Sequence, residues 1–370
     1  MRIAMIGQKG VPATYGGVER HVEEIGARLA QRGHRVNVYS RSNYAKGAMD
    51  EWRGMAVRQL PTVGTKHLDA LVHSALSTAD ALRRGVDVIH YHAVGPGLAA
   101  PVPRYLSRAR VVLTVHGRDS LRQKWGWSAR TVLSMAERWS ATVPHVTVVV
   151  SRDLANHYEH ALGRAAIYIP NGVDEPVRRP ASEITKRWGL ETDKYVLFVG
   201  RLVPEKAPDL LVRAFARLET DTKLVLAGGS SFSDSYVRSV EAVAEADRRV
   251  VLTGYVFGTV LDELYTNAAA FALPSLLEGL PLTLLEAASY GTPVLASDIA
   301  PHLEVIDTTG PGRRLFNAGS VSDLTSALRD VLADTALERE GARSLHDDVL
   351  RRYQWSAVVD QLERVYSELV

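Results

Sequence analysis

Residues 278–286 read Glu278-Gly-Leu-Pro-Leu-Thr-Leu-Leu-Glu286 and continue as Ala-Ala-Ser-Tyr-Gly-Thr-Pro-Val. The apolar run Ala270–Leu273 just before them, ended by Pro274 and Ser275, reads as a buried strand. Pro281 suits the first position of a helix, where its missing N–H costs nothing. Glu278 then falls on the loop before that helix and Glu286 in its second turn. The amides of Leu282, Thr283 and Leu284 are expected to lack intrahelical partners, and such amides at the positive end of a helix attract a phosphate. One strand–loop–helix corner thus offers a phosphate seat with a carboxylate, a good acceptor for sugar hydroxyls, on either side. That chemistry suits a nucleotide sugar. Two glutamates eight apart would equally suit a capped surface helix, so the rest of the chain has to decide.

Outward from this corner, short apolar strands alternate with helical patterns, which argues for parallel sheets covered by helices. In the second half the strands read Tyr195–Val199, Leu224–Ala227, Val250–Leu252, Ala270–Leu273 and Val294–Ser297. In the first half they read Arg2–Ile6, Val36–Ser40, Val86–His90, Val111–Val115 and Val146–Val150. Val18, Val22, Ile25 and Leu29 recur at helical spacing, so residues 18–32 form an amphipathic helix that Gly33 ends. The alternation breaks at Ile169-Pro-Asn171-Gly-Val-Asp174, and Pro176 and Pro180 follow among arginines. The expected organisation is a domain over 1–170, a linker over 171–190, a second domain over 191–352 and a helical segment over 353–370. Both domains are α/β and doubly wound.

The chain has 370 residues, which suits two or three domains at roughly 150 residues each. No apolar run reaches the roughly 18 residues of a membrane span, and Met1 leads straight into a strand, so no signal peptide is expected. There is no cysteine, which excludes disulfides, thiol nucleophiles and thiolate metal sites and fits a cytoplasmic enzyme. The net charge of +2 hides an asymmetry. Residues 1–170 carry 23 Lys+Arg against 12 Asp+Glu, and the remainder carries 21 against 30. A basic first half points to an anionic partner, either nucleic acid or a lipid surface.

Several loops at strand ends carry polar residues. Gly7-Gln-Lys-Gly10-Val-Pro-Ala-Thr-Tyr-Gly16-Gly17-Val-Glu-Arg lacks the G-x-G-x-x-G spacing of a dinucleotide site, which disfavours NAD. His90-Tyr91-His92 puts two imidazoles on one face of a strand, but no third ligand lies at convincing spacing, so a metal is not expected and an acceptor-lining role for Tyr91 and His92 is. Thr114-Val-His116-Gly117 ends another strand, where ligands of α/β sheets lie. Asp119-Ser-Leu-Arg122-Gln-Lys124-Trp125 is basic and aromatic, suited to a sugar ring beside a diphosphate.

At residues 278–287 the chain resembles the retaining family-4 glycosyltransferases of GT-B fold, whose E-G-F-G-L-x-x-L-E-A frame reads here E-G-L-P-L-T-L-L-E-A. Gly16-Gly17-Val18-Glu19 matches the family's G-G-x-E, and Gly200-Arg201-Leu-Val-Pro-Glu-Lys206 its G-R-L-x-x-x-K-G, with Ala207 in place of the last glycine. The opening loop and the His116–Trp125 segment are similar to the rhamnosyltransferase-like branch. The resemblance implies two Rossmann-like domains facing across a cleft, with the last helix returning to the first domain. It assigns Glu278 to the donor sugar, Glu286 to the ribose, and Arg201 and Lys206 to the leaving diphosphate. It sets His116 beside the sugar, Gly16 and Gly17 near the phosphates, Tyr255 and Val256 at the base and Asn171 at the hinge. Asp119, Arg122, Lys124 and Trp125 join Tyr91 and His92 on the acceptor side.

The implied activity is retaining transfer of a hexosyl group from a nucleotide sugar, UDP- or dTDP-linked in preference, to a saccharide acceptor that is lipid-linked in the favoured reading. A phosphate oxygen takes the acceptor proton, no metal or other cofactor is needed, and the enzyme sits in the cytoplasm or on the inner membrane face. The arginine-rich usage suits a GC-rich bacterial genome, and the resemblance implies polysaccharide biosynthesis. A soluble acceptor, a nucleotide-sugar epimerase of the same fold and a nucleic-acid-binding protein are the alternatives. The acidic second half and the donor constellation argue against the last.

Overall fold

A computed structural model of the chain describes residues 1–14, 16–44, 49–62, 69–118, 121, 127–229 and 234–370. The chain divides into two compact units, Met1–Gly172 with Trp355–Val370, and Val173–Gln354.

The first unit is built on a sheet of β1 (Arg2–Ile6), β2 (Arg35–Arg41), β3 (Glu51–Trp52), β4 (Met55–Leu60), β5 (Val88–His92), β6 (Arg110–Val115), β7 (Val146–Val149) and β8 (Ile167–Tyr168). Among the described residues the order is β3-β4-β2-β1-β5-β6-β7-β8, parallel except for the short β3. The strand order reverses direction between β1 and β5, so the loops after them open at the switch point where α/β sheets bind ligands. The expected strand over 86–90 runs instead over Val88–His92. The Asp87 carboxylate accepts from the Arg2 amide at 2.7 Å and its guanidinium at 2.9 Å, and the register with β1 begins at Val88. Sequence reading missed β4, where Arg58 and Gln59 interrupt the apolar pattern, and the two-residue β8.

Helix Gly17–Gln31 buries Val22, Ile25 and Leu29, and ends two residues before Gly33. The last helix, Trp355–Leu369, buries Trp355, Val358, Val359, Leu362, Val365 and Tyr366 at helical spacing. Full burial of each such aliphatic side chain is worth about 1.5–3 kcal/mol. Within the unit, Glu363 accepts from Arg32 at 2.8 Å and from His34 at 2.6 Å, and the Tyr366 hydroxyl meets His90 Nδ1 at 2.5 Å.

The second unit carries β9 (Tyr195–Val199), β10 (Lys223–Ala227), β11 (Val250–Gly254), β12 (Ala270–Leu273), β13 (Val294–Ser297) and β14 (Arg313–Phe316), all parallel, in the order β11-β10-β9-β12-β13-β14. Its switch point lies between β9 and β12. The segment expected as a linker over 171–190 belongs from Val173 onward to this unit and contains a helix, Glu183–Trp188. That helix is anchored by Glu263, whose carboxylate accepts from the Ser182 and Ile184 amides at 2.9 and 3.1 Å. Gln354 pairs with Val173 as an isolated bridge.

Candidate functional site

The second unit gathers its polar groups at the β9/β12 switch point. Gly200–Lys206 follows β9 and Pro274–Glu278 follows β12, and the loops are joined by the Leu276 amide donating to the Glu205 carbonyl at 2.8 Å. Gly228, after β10, has φ +153°, and a Cβ there would come within 1.8 Å of the Gly200 carbonyl. Only glycine allows that approach. Between the two loops Lys206 Nζ donates to Glu278 Oε1 at 2.6 Å, with side chains 15% and 12% exposed. The Ser275 hydroxyl donates to the same oxygen at 2.8 Å. Burial is the largest influence and pushes the Glu278 carboxyl up, but the charge and hydrogen bond of Lys206, with His302 and the Ser275 hydroxyl, together outweigh it and hold the group below its ordinary value. Sequence reading placed Lys206 and Glu278 separately at the diphosphate and the sugar, and the structure joins them as an ion pair.

Helix Leu282–Ser289 follows, with Pro281 at its N-cap rather than its first turn. The Leu284 amide donates to the Pro281 carbonyl at 3.2 Å, so the expected three-amide seat is reduced to Leu282 and Thr283. A tight first turn, closed at i→i−3, absorbs the third amide. The Thr283 hydroxyl is buried with no partner among the described residues. Glu286 lies one turn further on and accepts from the Tyr265 hydroxyl at 3.0 Å. Arg201 is half-buried on the β9 loop. Tyr255 and Val256 lie beyond β11, with Tyr255 stacked on Phe257 at 6.2 Å between ring centroids. Ala207, where the family pattern has glycine, adopts φ +46° and ψ +45°.

His302 is fully buried beside this corner on helix Ala300–Leu303. Its Nδ1 lies 2.8 Å from the Ser297 carbonyl, and its Nε2 has no partner among the described residues. Burial pushes its pKa down to about 4, against the opposing charge of Glu278. Sequence reading missed His302 and Ser275, because neither stands in a recognisable spacing.

In the first unit the β1/β5 switch point collects imidazoles. Gly16 caps helix Gly17–Gln31 with φ +105°, and the Glu19 carboxylate folds back so closely that a Cβ on Gly16 would meet it at 2.1 Å. Glu19 also accepts from the Lys9 amide at 3.0 Å, so the glutamate of the G-G-x-E signature serves to close its own loop. Register places His92 opposite Thr114, which brings His116, two residues on, beside it. His92 Nδ1 and His116 Nε2 are 3.3 Å apart. The first turns of helix Gly17–Gln31 add His21, whose ring centroid is 4.7 Å from that of His116. Burial lowers the His21 pKa to about 4 and lowers that of His92 well below its ordinary value.

These contacts change the reading of the His90–His92 strand. His90 and His92 do face one side, with centroids 4.1 Å apart, but His90 is held by Tyr366 and by Thr114 at 2.7 Å. The third and fourth imidazoles absent from linear spacing are supplied by His116 and His21. Tyr91, on the opposite strand face, is fully buried with its hydroxyl 2.6 Å from that of Thr78, so it is closed to an acceptor. His92 is likewise fully buried and supports His116 instead. Asn171, one residue before the division between the units at Gly172–Val173, turns its Oδ1 to His21 Nδ1 at 2.9 Å. Asp119, Arg122, Lys124 and Trp125, expected on the acceptor side, lie outside the described residues.

Comparison with known proteins points the same way. Residues 15–175 match the model described as Glycosyltransferase Family 4, and residues 181–344 the model described as Glycosyl transferases group 1. The chain is 28% identical over 347 residues to a GDP-mannose-dependent alpha-(1-6)-phosphatidylinositol monomannoside mannosyltransferase of Mycolicibacterium smegmatis, covering 87% of each chain. It is 25% identical over 395 residues to the alpha-maltose-1-phosphate synthase of the same organism, covering 100% of each. Among solved structures, the sucrose-phosphate synthase of Thermosynechococcus elongatus superimposes with a TM-score of 0.87 at 22% identity, over 100% of this chain and 99% of that one. The two family matches together span most of the chain, and they support a glycosyltransferase of family 4 with the GT-B fold.

Proposed function

We propose that the chain is a family-4 glycosyltransferase that moves a hexosyl group from a nucleotide sugar to a hydroxyl of a lipid-linked saccharide, with retention of configuration and without a metal. The Lys206–Glu278 pair at the β9/β12 switch point carries the reading. On donor entry Lys206 turns to the diphosphate with Arg201, and the freed Glu278 carboxylate accepts from sugar hydroxyls. The Leu282 and Thr283 amides face a phosphate, Glu286 takes the ribose, and backbone groups of Tyr255 and Val256 hold the base. His116 and the Gly16–Gly17 turn are the first unit's groups for the sugar and phosphates. Fixed donors of this kind are worth about 3–4 kcal/mol each at a developing charge.

The acceptor oxygen attacks C1 on the leaving-group face. The new C1–O bond forms as the bond to the diphosphate breaks, the nucleoside diphosphate leaves with that electron pair, and one of its phosphate oxygens takes the acceptor proton. No side chain becomes a nucleophile and no cofactor is consumed.

The lipid-linked reading is supported by an exposed apolar and basic surface on the first unit. Val102, Tyr105 and Leu106 are 48%, 68% and 80% exposed, and Val132, Met135 and Trp139 share one face of helix Trp127–Thr142. Arg104, on helix Pro101–Leu106 with the first three, donates to the Val143 carbonyl at 3.1 Å, just past the end of helix Trp127–Thr142, so the two helices adjoin there. No helix among the described residues is long and apolar enough to cross a membrane, so the association would be peripheral, on the cytoplasmic face. Flotation with anionic but not neutral vesicles at low salt is the expected result, and equal recovery with both would remove the argument.

The branch-like opening loop favours a UDP- or dTDP-linked donor, whereas the GDP-mannose dependence of the mannosyltransferase relative favours a GDP-linked one. A thermal-shift screen against UDP-, dTDP-, GDP- and ADP-sugars and their diphosphates, without added metal, separates them. A ligand at 100 times its Kd adds about 2.7 kcal/mol of stability. One responding base class, lost in Lys206→Met, is expected, and no response to any donor would overturn the reading. Product analysis must then show released nucleoside diphosphate; an epimer without it would indicate isomerisation.

A further inference from the structure

We propose that His21, His92 and His116 form a binding site for a divalent first-row transition cation of the zinc class. Each offers one ring nitrogen, and the three atoms lie within 4.8 Å of one another. Three imidazoles with no hard oxygen ligand select zinc, cobalt, nickel or copper over magnesium or calcium.

The surrounding hydrogen bonds fix which nitrogens are offered. Asn171 Oδ1 can only accept, so His21 Nδ1 carries the proton and Nε2 keeps its electron pair. Among the described residues His92 Nε2 meets the Met5 thioether at 3.4 Å, which accepts weakly, so Nδ1 holds the pair that faces His116. Outer partners of this kind are what orient the histidines of a metal centre. The 3.3 Å between His92 Nδ1 and His116 Nε2 matches the ~3.3 Å edge of a tetrahedron with Zn–N bonds of about 2.0–2.1 Å. Bringing in His21 requires a side-chain movement of about 1–1.5 Å on the same criterion. Three protein ligands leave a fourth position open, as in metal sites that exchange water or ligand.

The cation replaces the proton shared by His92 and His116 and takes the His116 electron pair. Resting on the sugar role proposed for His116, the site is therefore inhibitory: metal and donor sugar compete for one imidazole. The transfer needs no metal, and this one stops it.

The test uses the full chain stripped with chelator and titrated with Zn2+ by calorimetry and with Co2+ by visible absorption, in the absence of any donor. One equivalent per chain is expected, kept in His160→Gln, whose side chain is exposed, and weakened at least tenfold in His21→Gln and His92→Gln. Asn171→Ala should weaken it about 10–100-fold. Unchanged affinity in both histidine variants would overturn the site. Should those variants fail to fold, zinc-edge X-ray absorption of the wild-type complex decides: three imidazole nitrogens at about 2.0–2.1 Å support the site, and one or none overturns it. Zinc should also abolish transfer, with recovery on adding chelator. Full transfer by the loaded protein would overturn the competition with the sugar while leaving the cation site standing. Failure of metal binding leaves the donor screen untouched, so the two readings fail separately.

Discussion

Replacing Lys206 with methionine leaves Glu278 as a carboxylate 12% exposed, with Ser275 at 2.8 Å as its remaining donor. Removing one partner of a fully buried pair costs about 3–5 kcal/mol. The residual exposure and the Ser275 bond screen part of this, so Lys206→Met should cost about 2–3 kcal/mol. Glu278→Gln strands a flexible ammonium that can reach water and should cost about 1–2 kcal/mol. In the double variant neither charge is left alone, and the loss should be about 1–2 kcal/mol rather than the sum of the two. The coupling is therefore about 2 kcal/mol. Urea unfolding followed by far-ultraviolet circular dichroism, at pH 7.5 without ligand, measures all four corners of the cycle. Additivity to within ~0.5 kcal/mol would refute the pairing. A second signature accompanies it: with Lys206 gone, burial governs Glu278 and its titration moves up.

Three further outcomes are expected. The His302 pKa is about 4 in the fold, below the ordinary 6.5, so its contribution is complete above pH 6.5 and is lost as pH falls from 6.5 towards 4. The loss is ~1.4 kcal/mol per pH unit and ~3 kcal/mol in all, and urea midpoints of wild type and His302→Gln across that window should converge as pH drops. Ala207→Gly relieves a left-handed backbone that costs a non-glycine residue about 1–2 kcal/mol, at the expense of ~0.4–1 kcal/mol of unfolded-state entropy, so stability should rise by about 0.5–1 kcal/mol in the same assay. Glu263→Ala leaves the Ser182 and Ile184 amides unmet and should cost about 2–3 kcal/mol, with faster proteolysis of helix Glu183–Trp188 as an independent readout.

Strand ends that carry apolar β-branched runs were legible: Arg2–Ile6, Tyr195–Val199 and Val294–Ser297 stand where the sequence reading set them. Strands interrupted by paired charges were not, as at Arg313–Phe316, because burial of one face tolerates polar residues on the other. The Glu278–Glu286 corner was legible because its residues are close in sequence. Lys206 meeting Glu278, and His21 meeting His92 and His116, were not, because parallel register and a helix entering from the β1 loop create those neighbours. His302 carries no sequence signal at all; only its burial beside a carboxylate singles it out.

The first unit is assembled from two stretches that leave the ribosome at different times. Its sheet and first helices precede the whole of Val173–Gln354, and helix Trp355–Leu369 follows it. At roughly 5–20 residues per second, synthesis of the intervening unit takes ~10–35 s. During that interval the surface that will receive Val358, Leu362, Val365 and Tyr366 is bare, and His90, Arg32 and His34 have yet to meet Tyr366 and Glu363. The nascent chain thus holds an open apolar groove long enough for a chaperone to find it, while the second unit, written as one uninterrupted stretch, can close as soon as it emerges.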